Sequence, residues 1–407
     1  NLNYKEKRKV SFSDAIDEFK DIFENSVRER LVSDVPLGAF LSGGIDSSGV
    51  VAAMARLTHQ PVQTFSIGFE EIAFDEIRYA REIARKFNTE HHEWIVKPNI
   101  MEILPKLVWH YSEPFADASA IPLFYLSEKT QGFVKVVLTG DGGDESFAGY
   151  ERYLAEKLSR ILGHIPAFVR NQLIGTLMLT VFQGNAKKGR KRDLKRILRS
   201  FHADFRKEHI EFLEFFGQIK NEQLYTNQFR MQIGGIDTFE VVEPFFKEVA
   251  GLAPLDQTLY VDSMTYLPDD LMVKSDIATM SVGLEARSPF LDHRVMEFAA
   301  SLPPSFKIKR FQLKYFLKQA FKNDIPPNLL HRRKMGFGIP LEKWFRHELD
   351  DLAKDTLLSE RSVKRGYFRP EFLKRLYDEH QSGRENHAFR IWALVMLEQW
   401  HRVFIDH

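Results

Sequence analysis

The chain has no cysteine among its 407 residues. That excludes disulfides, thiolate metal sites and a cysteine nucleophile, and it fits a reducing compartment, the cytoplasm being the expected location. Long apolar runs are also missing. The longest, Leu173 to Phe182, contains Gly175 and is too short to span a bilayer. No signal peptide opens the chain. Net charge is nearly absent: 57 Lys and Arg face 56 Asp and Glu, a formal balance of +1. Bulk attraction to nucleic acid or to an anionic membrane therefore has no basis, and neither is expected as a partner. No internal repeat or low-complexity tract is found.

What is present describes a globular protein. At 44% hydrophobic and 28% charged residues the composition suits folded domains, and the length allows two or three of them. The 35 phenylalanines point to substantial helical cores. The chain begins at Asn1 within a polar lead-in and is expected to be a fragment of something longer.

The chain is organised around Leu41-Ser42-Gly43-Gly44-Ile45-Asp46-Ser47-Ser48. The apolar run Val35–Phe40 before it reads as a buried strand, and Gly49–Ala55 after it reads as a helix. A strand, a turn of small residues and a helix make an anion site, because the first N–H groups of a helix are free and lie at its positive end. Gly43 and Gly44 can take positive φ values and leave room for a ligand against the backbone. Ser42, Ser47 and Ser48 add hydroxyls. Asp46 would repel phosphate, and makes sense if it holds a divalent cation that bridges to phosphate oxygens. The pattern G-x-x-x-x-G-K-[ST] does not occur, so the loop suits a pyrophosphate better than a clamped γ-phosphate. The plain alternative is an ordinary strand-to-helix turn.

Around this loop the pattern alternates. Residues 11–32 read as an amphipathic helix with Ser13 as N-cap and Ile16, Phe19, Phe23, Val27 and Leu31 at helical spacing. A second strand covers Val62–Gly68, a helix runs from about Asp75 to Phe87 with Ile77, Ala80, Ile83 and Ala84 buried, and a third strand is His92–Val96. Helices near Ile100–His110 and Ile121–Thr130 precede a fourth strand, Val134–Leu138. That strand leads directly into Gly140-Asp141-Gly142-Gly143-Asp144-Glu145. The fold class expected is α/β, a doubly wound parallel sheet over 1–150, with a mainly α-helical region over 151–407. Such sheets bind ligands at the carboxyl ends of their strands, where both glycine-rich loops lie. Three acids packed into the second loop repel one another unless a cation sits among them, which makes Asp144 a metal candidate alongside Asp46. The basic stretch Gln183–Arg192 reads as a solvated charged loop.

With these two loops on the page, the chain resembles the synthetase half of the glutamine-dependent asparagine synthetase family. Similar proteins carry Ser-Gly-Gly-x-Asp-Ser-Ser, here Ser42–Ser48, and Gly-[Glu/Asp]-Gly-x-Asp-Glu ending in Gly-Tyr, here Gly140–Glu145 with Phe147–Tyr150. A third block runs from Leu267-Pro268-Asp269-Asp270-Leu271 through Lys274 and Asp276 to Leu284–Asp292, and a fourth is Arg333–Pro340. The resemblance implies an adenine nucleotide α-hydrolase (PP-loop ATPase) sheet that cleaves ATP between its α- and β-phosphates. Aspartate would be activated as β-aspartyl-AMP, and ammonia would displace AMP to give asparagine.

Carried over by position, Ser42, Gly43, Gly44, Asp46, Ser47 and Ser48 would hold pyrophosphate and Mg²⁺. Leu41, Ile67 and Gly140 would line the adenosine pocket, and Asp46 and Asp144 would carry the metal. Lys334 matches a phosphate-contacting lysine, beside the alternative of one more solvated basic residue. Asp141 stands where many relatives have glutamate, at the position of the amide-forming step, which leaves the acceptor open: aspartate, or another carboxylate amidated or cyclised. Glu285 and Arg287 would either support the site or form a buried structural ion pair, and Asp117 is a further candidate. The family's N-terminal glutaminase starts with a cysteine nucleophile. None exists here, so ammonia is expected free or from a glutaminase domain or subunit; a homodimer is compatible with the resemblance. A non-catalytic nucleotide-binding module is the remaining alternative.

Overall fold

A computed structural model describes residues 2–69, 76–154, 204–217, 219–235, 237–332 and 338–406. The basic stretch 183–192, the apolar run 173–182 and Lys334 lie outside the described residues. Helix α1 (Phe12–Arg30) leads into strand β1 (Leu37–Phe40), followed by α2 (Ile45–Leu57), β2 (Gln63–Phe69), α3 (Ile77–Phe87) and β3 (Glu90–Val96). Helices α4 (Ile100–Tyr111) and α5 (Ala120–Thr130) then precede β4 (Val136–Leu138) and the short α6 (Gly143–Phe147). The chain beyond is helical except for one three-residue strand, β5 (Glu285–Arg287).

The five strands form one parallel sheet in the order β3-β2-β1-β4-β5. The order reverses direction between β1 and β4, so a crevice opens at their carboxyl ends. Both faces of the sheet are covered, because side chains alternate along each strand. Ala39 and Leu41 pack with α1, α2 and α3, whereas Phe40, Phe65 and Ile67 pack on the other side with α4, α5 and helix Ala388–Phe404. The four residues expected on the inner face of α3 (Ile77, Ala80, Ile83 and Ala84) are its buried ones. Among the described residues no helix is long and apolar enough to cross a membrane.

Three local readings differ from the structure. The N-cap of α1 is Ser11, not Ser13: its backbone is extended and its Oγ accepts from Asp14 N at 3.2 Å, which starts the helix at Phe12. Helix α2 starts at Ile45, several residues earlier than the apolar run suggests, because extended Gly44 caps it. Strand β5 lies within a block that reads as helical. It is an edge strand with two charged residues, so no apolar alternation marks it.

Phenylalanine joins early and late parts of the chain. Phe19 of α1 stacks on Phe23 at 5.4 Å and meets Phe147, Phe298, Phe316 and Phe321 at centroid distances of 5.3, 5.9, 5.5 and 6.0 Å. Phe23 lies 4.6 Å from Phe290. Edge-on and tilted ring pairs of this kind add to the burial of the rings themselves.

One buried group works against stability. Lys307 is fully buried, its Nζ 5.0 Å above the Tyr4 ring and without a hydrogen-bond acceptor among the described residues. Burial pushes its pKa down to about 7, against the attraction of Asp256. Unfolded, the lysine keeps its ordinary value near 10.5, so the penalty is full below pH 7 and fades as pH rises toward 10.5. Lys307→Met should therefore raise stability at neutral pH, by on the order of a few kcal/mol. It should also flatten the rise in stability between pH 7 and 10.5; denaturant unfolding across that range reads both effects.

Candidate functional site

The crevice at the switch between β1 and β4 is a cavity of about 820 Å³, within the range of small-molecule sites. Its floor is made where two loops meet. The first loop leaves β1 at Leu41, and the second leaves β4 at Thr139. Of the residues singled out from the sequence, Leu41, Ser42, Gly44, Asp46 and Ser47 line the cavity, and so do Ile67, Gly140, Asp141 and Asp144. Gly43 and Ser48 are not in the wall. Ser48 is buried within α2.

Gly43 adopts φ +69, as the tight turn requires, and a Cβ on it would sit 2.6 Å from the Tyr79 backbone of α3. Gly44 does not take a positive φ; it is extended, with φ −74 and ψ 163. The serine hydroxyls close on one another: Ser42 Oγ and Ser47 Oγ are 3.1 Å apart, and Gly44 N donates to Ser42 Oγ at 3.3 Å. This holds the turn around the start of α2, where the first N–H groups have no helical acceptor.

The second loop needs its glycines for a different reason. A Cβ on Gly140 would lie 2.8 Å from Ser47 N and 2.9 Å from Asp46 Cβ. One on Gly143 would lie 2.6 Å from Asp46 Oδ1. The two loops therefore touch backbone to backbone, and any side chain at these positions would wedge them apart. This contact brings Asp46 and Asp144 together.

Lys314, more than 250 residues from Asp46, completes the centre. Its Nζ is 2.7 Å from Asp144 Oδ1 and also bonds Asp46 Oδ2. The lysine is buried and has a left-handed backbone, φ +51, with its N–H donating to Ala148 O at 3.2 Å. Burial alone would lower its pKa, but the carboxylates of Asp144 and Asp46 outweigh that and raise it. Sequence reading missed this residue, which sits in an unremarkable amphipathic run without glycine or a neighbouring acid.

Asp141 is held on the other side of its loop. Its Oδ2 accepts from Thr139 Oγ1 at 2.9 Å and Ser275 Oγ at 3.2 Å. Glu145 does not enter this group by itself: it is buried and bonded by Tyr150. Arg152 stacks 4.1 Å over Tyr150 and 4.7 Å over Tyr266, while its NH2 meets Asp262 at 2.7 Å. These contacts brace the end of the second loop from the helical region.

Glu285 and Arg287 are corrected. They pair at 2.7 Å on the edge strand, with Glu285 exposed and Arg287 also donating to the carbonyls of Arg30 and Val32. They are neither buried nor in the cavity wall, to which only Ala286 between them contributes. Asp117, by contrast, lines the cavity and forms an ion pair with Lys274.

The chain is also similar in sequence to known proteins. A family model described as asparagine synthase matches residues 18–402. The chain is 30% identical over 392 residues to "Asparagine synthetase [glutamine-hydrolyzing] 1" of Bacillus subtilis (strain 168), covering 96% of this chain and 60% of the relative. It is 33% identical over 414 residues to "Putative asparagine synthetase [glutamine-hydrolyzing]" of Mycobacterium tuberculosis (strain ATCC 25618 / H37Rv), covering 96% and 58%. "Amidase chyE" of Penicillium rubens is more distant, at 26% identity over 381 residues, 84% of this chain and 55% of that one. The chain thus spans about three-fifths of the length of the first two relatives.

Lys314→Met would leave Asp46 and Asp144 facing each other without their shared cation. Removing one partner of a buried pair costs about 3–5 kcal/mol, and urea unfolding at pH 7 should show a loss of that order. In the parent chain, the stabilisation from Lys314 is complete below the ordinary lysine pKa and is lost only at strongly alkaline pH.

Proposed function

The chain belongs to the asparagine synthase family, and we propose that it carries the ATP-dependent, amide-forming activity of such enzymes. It adenylates the side-chain carboxylate of aspartate, releases pyrophosphate, and transfers ammonia to give asparagine and AMP. The observation that supports this reading is the meeting of two glycine-lined loops, with Asp46 and Asp144 converging, at the switch point of a parallel sheet. A PP-loop type of nucleotide site has this layout.

The roles of the residues follow from their chemistry. Leu41 and Ile67 give the adenosine an apolar wall, and Gly140 lets the ribose approach the backbone. The free N–H groups at the start of α2, with the hydroxyls of Ser42 and Ser47, bind the pyrophosphate. Gly43 permits the turn. Asp46 and Asp144 offer hard carboxylate oxygens from opposite loops, a donor set that suits Mg²⁺. When bound, that ion neutralises charge on the departing pyrophosphate. Lys334, from its place in the sequence, stabilises the five-coordinate α-phosphorus.

In the first step a substrate carboxylate oxygen forms a bond to the α-phosphorus as the bond to the β-phosphate bridging oxygen breaks. In the second, ammonia adds to the activated carbonyl carbon and AMP leaves. Asp141, oriented by Thr139 and Ser275, takes the proton that the new carbon–nitrogen bond releases. Ammonia comes free in solution or from a glutaminase domain or subunit.

A second reading keeps the adenylation and changes the acceptor; the similarity to an amidase and the aspartate at position 141 favour it. The test is an ammonium-dependent assay for pyrophosphate, AMP and asparagine. Aspartate should give all three in equal amounts. Pyrophosphate with another carboxylate and none with aspartate would favour the second reading. Asp46→Asn should lower turnover by at least about 100-fold under either, as removal of a central electrostatic group does. An unchanged nucleotide affinity with no turnover in the parent chain would instead indicate a binding module.

A further inference from the structure

Behind the cavity wall lies a buried group of charges that the steps above do not use. Asp262, fully buried on the helix Pro254–Met264, has three donors around its carboxylate. Arg152 Nη2 meets Oδ2 at 2.7 Å, Tyr153 donates its hydroxyl to the same oxygen, and His209 Nε2 lies 2.8 Å from Oδ1. Burial pushes the Asp262 carboxyl up, but Arg152 and His209 together bring it well below its usual range. An ionised carboxylate only accepts, so His209 is the donor in its bond. The imidazole comes from a separate short helix, Phe205–Glu211. It is itself buried, its ring nearly parallel to that of Tyr153 at 6.2 Å.

A third donor is more than an arginine's counter-ion needs, and desolvation already offsets most of what a buried pair gains. The use of the arrangement lies in what the guanidinium touches. Its centre is 4.1 Å from the Tyr150 ring and 4.7 Å from the Tyr266 ring, and those rings meet edge-on at 5.9 Å. Tyr150 bonds Glu145, the residue after Asp144. Tyr266 opens the stretch that runs through the wide turn Leu267–Met272 to Ser275, and Ser275 donates to Asp141. The second loop is thus held at its start by Ser275 and at its end by Arg152. Both holds go back to one stretch, 266–275. Tyr150, Tyr266 and Ser275 line the cavity, whereas Arg152, Asp262 and His209 are not in its wall.

With bonds on Oδ2 alone, the carboxylate could turn about its Cβ–Cγ bond and carry the guanidinium with it. A donor on Oδ1 stops that rotation. We propose that His209 is a positioning residue for the reaction: it locks the Asp262 carboxylate, which aims the Arg152 guanidinium, which sets the spacing of the second loop. The inference rests on the reading that the cavity adenylates a carboxylate. Asp141 and Asp144 both sit on that loop, so a shift of its end displaces the proton acceptor and the metal ligand together. A misplacement of about 1 Å at reacting groups costs up to about 100-fold in rate. Leu41, Ile67 and the start of α2 belong to other elements, so nucleotide binding before the reaction is left nearly as it was.

The experiment measures pyrophosphate release by the full chain with ATP, Mg²⁺, ammonium and a panel of carboxylates headed by aspartate. The stoichiometry of ATP binding is read beside it by calorimetry. His209→Phe keeps a ring beside Tyr153 and removes the donor. It should lower kcat by about 30-fold, leave the KM for ATP within about twofold and leave the stoichiometry unchanged. His209→Gln, which can return an N–H to Asp262, should recover most of the loss. Arg152→Lys keeps a cation for Asp262 but gives up the flat face against the two tyrosines, and should lower kcat alike. Adding His209→Phe to Arg152→Lys should cost no more than about a further twofold, because the histidine acts through the arginine.

If His209→Phe fails to fold, His209→Leu takes its place in the same comparison. Failure of both to fold would make the histidine a core residue and overturn the inference. So would a folded His209→Phe with the kcat of the parent chain, or a loss carried by the stoichiometry or by the KM for ATP. Losses that multiply in the double variant, or His209→Gln no better than His209→Phe, would overturn it too. Each of these leaves the adenylation reading standing. No pyrophosphate from the parent chain with any carboxylate would overturn both.

Discussion

The structure depends on a contact between two backbones. Gly140 and Gly143 lie so close to Ser47 and Asp46 that neither has room for a methyl group. Because nothing larger than hydrogen separates the loops, the carboxylates they carry are forced into one small volume. Like charges brought that close need a counter-ion, and Lys314 supplies it from a distant part of the chain. The sheet order makes the contact possible, since β1 and β4 are neighbours whose connections leave in opposite directions.

The sequence made the sheet and both loops legible because their signals are local. Apolar runs ending in glycine and small polar residues mark β1 and β4, and the buried face of α3 is visible in its spacing. What was not legible has long-range causes. Lys314 shows its role only when the fold brings it to Asp46, 268 residues away. Strand β5 owes its place to a ladder with β4 and has only Glu285, Ala286 and Arg287 to announce it. The two readings of Glu285 and Arg287, as support for the site or as a buried ion pair, missed for the same reason: on the edge strand the pair forms, but with Glu285 exposed and Arg287 half-buried against the carbonyls of Arg30 and Val32. Asp117 was visible as an acid in a loop, but its partner lies 157 residues further on. Lys334, named from its resemblance, lies outside the described residues, so its placement at the α-phosphate rests on the proposal.

The phenylalanine cluster explains how elements so far apart in sequence keep a fixed relation. Phe19 and Phe23 of the first helix touch rings from α6, from the turn after β5 and from the helices on either side of Lys314. The second loop is held from one side by this cluster through Phe147, and from the other by Arg152 between its tyrosines. Interiors packed this densely transmit small displacements rather than absorbing them. The separation of Asp46 and Asp144 is therefore set partly by residues that never approach the cavity.

The left-handed backbone at Lys314 has a consequence for anyone engineering this chain. A lysine at φ +51 gives up on the order of 1 kcal/mol that a glycine would keep, and a consensus of local preferences would recommend the exchange. Followed, that advice would relax the main chain while removing a charge that bonds both aspartates. Position 314 is thus a place where optimising robustness and preserving chemistry pull in opposite directions, and a thermostability screen run without an activity counter-screen would be misled there.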